Sequence, residues 1–233
     1  MMPSSACRIR GLEQATQNLL IDQTTYIPLN TRNSYRNISS LAAFFYVCLF
    51  RITRVLFQKY ISSNPTWYKR PTSASLRIKI NKDTISRAFI EEVRLMSSNL
   101  GINANDNSNA QPCTLDIASS LSIPIENESV DLIISSPPYC TRIDYAIATL
   151  PELCILGCEN VEFEKIRRDL IGSPTINNKY CTGFSSVSNT CSRLIESIRS
   201  HRSKASSTYY LKNHIQYFNS LEKSISEIGR VMK

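Results

Sequence analysis

Apolar positions between residues 37 and 60 recur at three- and four-residue steps: Leu41, Phe44, Phe45, Cys48, Leu49, Ile52, Val55 and Leu56. That spacing places the side chains on one face of a helix. Arg51, Arg54 and Lys59 make its later part basic, and Ser62-Ser63-Asn64-Pro65 stops it, because the residue before a proline is pushed out of the helical region. Before it, the pattern predicts a short helix over 11–20 and an extended stretch at Tyr26-Ile27-Pro28. Trp67-Tyr68-Lys69-Arg70-Pro71 reads as an aromatic and basic loop, either a stacking and phosphate site or a tryptophan anchored in the core. A second long helix is predicted over 83–100, with Asp83 as its N-cap and Gly101 as its stop. Residues 103–112, NANDNSNAQP, are polar and turn-rich, a loop or linker.

Beyond residue 112 the pattern changes. Residues 113–116 read as a short strand ending in an acid, and 129–135, SVDLIIS, as a buried strand rich in branched side chains. Pro137 and Pro138 cannot continue a central strand, since proline lacks the backbone donor. A helix is predicted over 143–156, a loop over 172–187, and two closing helices over 188–200 and 207–231. Strands followed by helices predict an α/β fold behind a mainly helical N-terminal region, residues 1–102.

Composition changes this picture in two ways. The 27 Lys and Arg against 19 Asp and Glu give a net charge of +8, a balance that favours polyanionic partners: DNA, RNA or an acidic membrane surface. The eight cysteines include no CxxC pair and only two histidines accompany them, which fits reduced thiols in a cytoplasmic protein rather than zinc or disulfides. The N-terminus has no apolar core of a signal peptide. The most apolar run, residues 41–50, is shorter than the ~20 residues a bilayer span needs, so no membrane partner is expected.

The chemistry concentrates in residues 115–145, LDIASSLSIPIENESVDLIISSPPYCTRIDY. Two strand ends follow one another here, at Asp116 and at Ser136-Pro137-Pro138-Tyr139. Ligands of open α/β sheets sit at the carboxyl ends of strands, so both ends are expected to face one crevice. An exocyclic base amine is a poor nucleophile because its lone pair is delocalised into the ring. Two acceptors, here the Ser136 hydroxyl and the Pro137 carbonyl, would hold its hydrogens and favour a tetrahedral nitrogen. The prolines stiffen the loop, and Tyr139 offers a face for a base taken out of the duplex.

Asp131-Leu132-Ile133-Ile134-Ser135-Ser136-Pro137-Pro138-Tyr139 resembles the catalytic motif of the amino-methyltransferases, (Ser, Asn or Asp)-Pro-Pro-(Tyr, Phe or Trp). Those enzymes modify N4 of cytosine or N6 of adenine, and the serine form is typical of the cytosine group. The upstream Asp116, Ile123-Pro124 and Ser129-Val130 fit the same pattern, and residues 140–157 and 203–218 look like segments of bacterial DNA methylases. The resemblance covers roughly 35–233. It implies a partial Rossmann-like, S-adenosylmethionine-dependent methyltransferase fold with residues 113–233 as its incomplete catalytic part. It also implies Ser136, Pro137, Pro138 and Tyr139 as catalytic residues, and Asp116 with Ile117 on the cofactor side. Arg142, Asp144 and Tyr145 fall on the substrate side, and DNA is the partner, with RNA the other compatible polyanion. Alternatives stay open at several positions. Asp116 also fits a strand-end cap, Arg142 and Asp144 an exposed ion pair, and Tyr209, Tyr210, Lys212, Asn213 and His214 either phosphate contacts or a surface helix start.

The family's glycine-rich cofactor loop has no counterpart here. The six glycines, at 11, 101, 157, 172, 183 and 229, are scattered. Either the loop follows the motif in a permuted order, in a truncated product or a split enzyme with a complementing fragment, or a degenerate loop lies near Asn64-Pro65. A non-catalytic nucleic-acid-binding subunit is the competing reading. An RNA or protein-glutamine methyltransferase is another, though serine at 136 argues against glutamine.

Overall fold

A computed structural model describes residues 1–20, 38–63, 66–69, 71–103, 113–140, 143–177 and 188–233. Tyr26-Ile27-Pro28, Asn64-Pro65, Arg70, residues 104–112, Arg142 and residues 178–187 lie outside them. The chain divides into two compact units. Unit 1 comprises Met1–Pro112 and Ile147–Phe163, and unit 2 comprises Cys113–Ala146 and Glu164–Lys233.

Unit 1 packs α1 (Pro3–Leu20), α2 (Ser40–Leu56) and α3 (Lys82–Asn103) together with α5 (Leu150–Ile155). Its core holds Ile9, Tyr46, Leu49, Ile52, Ile85 and Ile155. The predicted stripe of α2 is rotated: Cys48, Leu49 and Ile52 are buried as expected, Ala42 and Tyr46 join them, and Leu41 and Val55 are exposed. Tyr46 is drawn inward by a carboxylate. Its hydroxyl donates to Glu13 Oε1 at 2.6 Å, Gln17 donates to the same oxygen at 3.3 Å, and Arg10 Nη1 donates to Oε2 at 2.9 Å. A buried charge is retained only when paired and hydrogen-bonded in this way. Ser39 caps α2 by accepting from the Ala42 amide at 3.1 Å. At α3 the cap is Asn81, whose Oδ1 accepts from the Asp83 amide at 3.0 Å, so Asp83 stands inside the first turn instead of capping it. The predicted helix 143–156 is two pieces, α4 (Tyr145–Ala148) and α5 (Leu150–Ile155), with Pro151 in the first turn of α5, where its missing N–H has no intrahelical partner to lose. Among the described residues no helix is long and apolar enough to cross a membrane.

Unit 2 is built on α7 (Asn189–Arg199) and α8 (Leu211–Val231), with the later part of α6 (Asn160–Asp169). Ser188 caps α7 by accepting from the Cys191 amide at 3.2 Å. The buried face of α8 is unusually polar, with Asn213, Gln216, Ser220 and Ser224 beside Ile215 and Val231. Three of them find neighbouring partners: Ser224 Oγ meets Ser120 Oγ at 2.8 Å, Gln216 donates to the Thr175 carbonyl at 3.2 Å, and Asn213 donates to the Ser173 carbonyl at 3.1 Å.

The Rossmann-like α/β expectation is overturned. The fold is mostly helical, and among the described residues β pairing is limited to isolated bridges, Ile61 with Tyr68, Ser119 with Ser122, and Val130 with Met232. The expected strands at 113–116 and 129–135 run extended without forming a sheet, leaving Leu115 88%, Leu132 72% and Ile134 90% exposed. A branched, apolar run gives strand propensity, but a strand also needs neighbouring backbone donors and acceptors. Only the start of the run has them: the Ser129 and Val130 amides donate to the Val231 carbonyl at 2.9 Å each, and the Lys233 amide donates to the Val130 carbonyl at 3.1 Å.

The turn before that run is held by a two-residue clamp on α8. Arg230 donates to the Ile123 carbonyl at 2.7 Å, the Ile125 carbonyl at 2.9 Å and Asn127 Oδ1 at 2.7 Å. Glu227 Oε2 accepts from the Ile123 amide at 2.9 Å. The Arg230 guanidinium, helped by that amide, holds the Glu227 carboxyl down at about 2. A depressed carboxylate contributes stability that is complete above its unfolded value and is lost as pH falls through its folded value. Protection of the Ile123 amide against hydrogen exchange is therefore expected to persist at about pH 4 and to fade only as pH approaches about 2. Loss of protection already near the ordinary carboxylate range would show that the clamp does not form.

Candidate catalytic loop and its supports

Ser136-Pro137-Pro138-Tyr139 lies in unit 2 as an extended segment, with Ser136, Pro137 and Tyr139 exposed and Pro138 half-buried. Two tyrosine hydroxyls fix its backbone. Tyr217 of α8 donates to the Pro138 carbonyl at 2.9 Å, and the Tyr139 amide donates to the Tyr145 hydroxyl at 3.2 Å. The Tyr139 carbonyl is packed against Gly172, where a Cβ would stand 2.3 Å from the oxygen. Burial pushes the Tyr217 hydroxyl above its usual range, with Cys140 and Tyr145 adding to the effect, so it stays a proton donor.

The supports are themselves anchored within unit 2. Gly172 has φ +79 and opens a turn whose next residue, Ser173, is buried. Asn213 donates to the Ser173 carbonyl at 3.1 Å, and the Tyr209 hydroxyl donates to the Pro174 carbonyl at 2.6 Å. Tyr145 follows Asp144, whose fully buried carboxylate accepts from Arg167 Nε of α6 at 2.6 Å. Asp144 is thus engaged by a residue 23 positions away. Arg142, its other candidate partner, lies outside the described residues. Burial raises the Cys140 thiol to about 11, so at neutral pH it is protonated and supplies no thiolate.

Pro138 O accepts from Tyr217 and Tyr139 O lies against Gly172, and no described residue hydrogen-bonds Ser136 Oγ or Pro137 O. Gly172, Tyr217 and Arg167 were not legible as site residues. Gly172-Ser173-Pro174 marks a turn, but nothing in the sequence says what packs on it, and Tyr217 and Arg167 look like ordinary helix positions.

Asp116 and Ile117 lie in the same unit, both exposed, with Asp116 Oδ1 accepting from the Ile117 amide at 2.7 Å. The sheet that would set Asp116 and Ser136 on one crevice does not form. A cradle for S-adenosylmethionine would need glycine backbone open to the ligand and walled by it closely. At Gly11, Gly157 and Gly229 an added Cβ would meet nothing within 4 Å, and the space at Gly172 is filled by the chain's own Tyr139 carbonyl. The described residues therefore do not fit that donor. A cavity of about 270 Å³ in unit 1, lined by Phe57, Tyr60, Tyr68, Lys69 and Phe163 among others, includes none of the loop residues. Among the described residues there is no cluster of metal-ligating side chains.

The chain is similar over a limited stretch to the Type II methyltransferase M.AvaI of Nostoc sp. (strain PCC 7120 / SAG 25.82 / UTEX 2576), 41% identical over 54 residues. It is equally similar to the Type II methyltransferase M.AvaI of Anabaena variabilis, 41% identical over 54 residues. The shared stretch is 23% of this chain and 11% of each relative, so the match spans a small part of those proteins. It is a partial likeness that supports the methyltransferase class at the level of family. No family model matches the chain. No solved structure matches it.

Proposed function

We propose that unit 2 carries the target-amine site of a DNA amino-methyltransferase, which moves a methyl group from S-adenosylmethionine to an exocyclic base nitrogen, with cytosine N4 favoured over adenine N6. The observation that carries this reading is the pair Ser136 Oγ and Pro137 O, hydrogen-bonded by no described residue, on an exposed loop whose backbone is fixed at Pro138 by Tyr217 and at Tyr139 by Tyr145. A base amine held by both gives up its hydrogens' freedom and presents its lone pair. Tyr139, 63% exposed, supplies a face for the base. Asp144, Tyr145, Tyr217 and Gly172 position the loop. The partial likeness to the Type II methyltransferases supports the same class, and the net charge of +8 suits a polyanionic substrate. Asp116 and Ile117 are the donor-side residues of this proposal, and no step is assigned to them.

Because the described residues do not hold the donor themselves, the test is to incubate the protein together with a complementing methyltransferase fragment, isotope-labelled S-adenosylmethionine and unmodified DNA, then digest to nucleosides. N4-methylcytosine is expected, and Ser136→Ala is expected to lower the rate by about a hundredfold, the scale for losing one aligned polar contact to the reacting group. Label on a ring carbon, or an unaffected Ser136→Ala, would refute the assignment. A second reading is favoured by the missing donor cradle: the chain binds DNA without transferring methyl. Salt-dependent DNA binding with no labelled nucleoside selects it.

A further inference from the structure

From Ser197 to Leu221 the chain has no acidic residue, while Arg199, Arg202, Lys204 and Lys212 fall inside that stretch. Arg199 is paired with Glu196 at 2.8 Å, and Arg202 and Lys204 are exposed. A connected set of rings runs through the same residues. Tyr209 and Tyr210 meet edge to face with centroids 5.2 Å apart, and Tyr210 and His214 are 6.5 Å apart. His214 and Phe218 are again 6.5 Å apart, and Phe218 meets Tyr217 at 5.4 Å. The series ends on the hydroxyl that holds Pro138. Interplanar angles of 57° and 46° show that the rings are not stacked on one another, and Tyr209 and Tyr210 remain 36% and 44% exposed.

Two local features put the rings there. Ser206–Tyr210 forms a π turn ahead of α8, a wider turn that recurs at functional positions. His214 Nδ1 donates to the Tyr210 carbonyl at 2.8 Å, which fixes the imidazole against the turn.

We propose that residues 201–218 bind the DNA strand flanking the target base in an unstacked form, its bases against Tyr210 and His214 and its phosphates against Arg202 and Lys204. Charge selects a polyanion, and exposed rings interleaved with cations select one whose bases have left the duplex. Continuity through Tyr217 to Pro138 ties this surface to the loop that would receive the base. The inference rests on the reading of unit 2 as a DNA-modifying unit and adds to it which strand conformation is held, and where.

The test is fluorescence anisotropy on the full chain, with a labelled single-stranded oligonucleotide and its blunt duplex across a salt series. Wild type is expected to prefer the single strand. Tyr210→Leu with His214→Gln should weaken single-strand binding about thirtyfold or more, the scale for losing two base-stacking rings, and Tyr210→Phe should retain it. Arg202→Gln with Lys204→Gln should reduce the salt slope by about 1.4, at ~0.7 per phosphate contact on a single strand. Leucine keeps the bulk of the site, so wild-type affinity in Tyr210→Leu/His214→Gln overturns the proposal while leaving the methyltransferase reading intact. Failure of wild type to bind either DNA sinks both.

Discussion

Gly172→Ala is expected to destabilise unit 2 by about 2–5 kcal/mol and to dislodge the Pro138–Tyr139 backbone. The figure combines two costs. A side chain at φ +79 sits in the left-handed region, at roughly 1–2 kcal/mol, and an extra methyl in a filled space costs about 1–3 kcal/mol. The second cost cannot be relieved by a flexible neighbour, since the atom 2.3 Å from the new Cβ is the Tyr139 carbonyl oxygen. Neither side has room to retreat. The turn is tethered at Ser173 by Asn213 and at Pro174 by Tyr209, and the loop is tethered by Tyr217 and Tyr145. Gly157→Ala is the control, with the same φ of +79 and nothing within 4 Å, and should show the backbone cost alone. Urea unfolding of both variants decides the matter: equal losses would mean that the contact with Tyr139 is not what Gly172 is for.

The loop itself is readable in the sequence because its chemistry is local: a hydroxyl, two stiff prolines and an aromatic ring in four consecutive residues. Its supports are not, because each acts across chain distance. Tyr217 reaches Pro138 over 79 positions, and Arg167 reaches Asp144 over 23. The long helices are readable for the same reason as the loop. Residues 188–200 are read as a helix, and the structure has α7 there, with Ser188 as its cap and Cys191 and Ile195 buried.

Where sequence and structure part, two distinct causes are at work. Helix α6 escapes a reading by pattern because Asn160–Asp169 carries six charged residues in ten and buries Phe163 as its single anchor, too little apolar periodicity to register. The strands are over-predicted because periodicity and β-branching report what a segment prefers, while a sheet depends on what lies beside it. Val130 has Val231 and Lys233 alongside, but Leu132 and Ile134 are exposed. The consequence for function is specific. The Ser136–Tyr139 loop is held by α8 and the Gly172 turn, so its geometry does not depend on the sheet that the sequence led one to expect.

Arg167→Ala is the second large effect, an expected loss of about 3–5 kcal/mol, because it strips the guanidinium from a carboxylate already removed from water. Asp144 has no side-chain exposure, and Arg167 Nε lies 2.6 Å from its Oδ2. The other contact of Arg167, to Glu164 at 3.8 Å, is long and half-exposed and adds little. If the two residues formed an ordinary surface pair, as the sequence also allowed for Asp144, the loss would stay within about 1 kcal/mol. A double-mutant cycle separates these cases. Asp144→Leu with Arg167→Met should be less destabilising than Asp144→Leu or Arg167→Met alone, since no charge is then left buried. The same cycle reads out at the loop. Asp144 precedes Tyr145, whose hydroxyl accepts from the Tyr139 amide, so that amide should exchange faster in Arg167→Ala. An unchanged rate in a destabilised variant would confine the ion pair to stability and remove it from the positioning of Ser136–Tyr139.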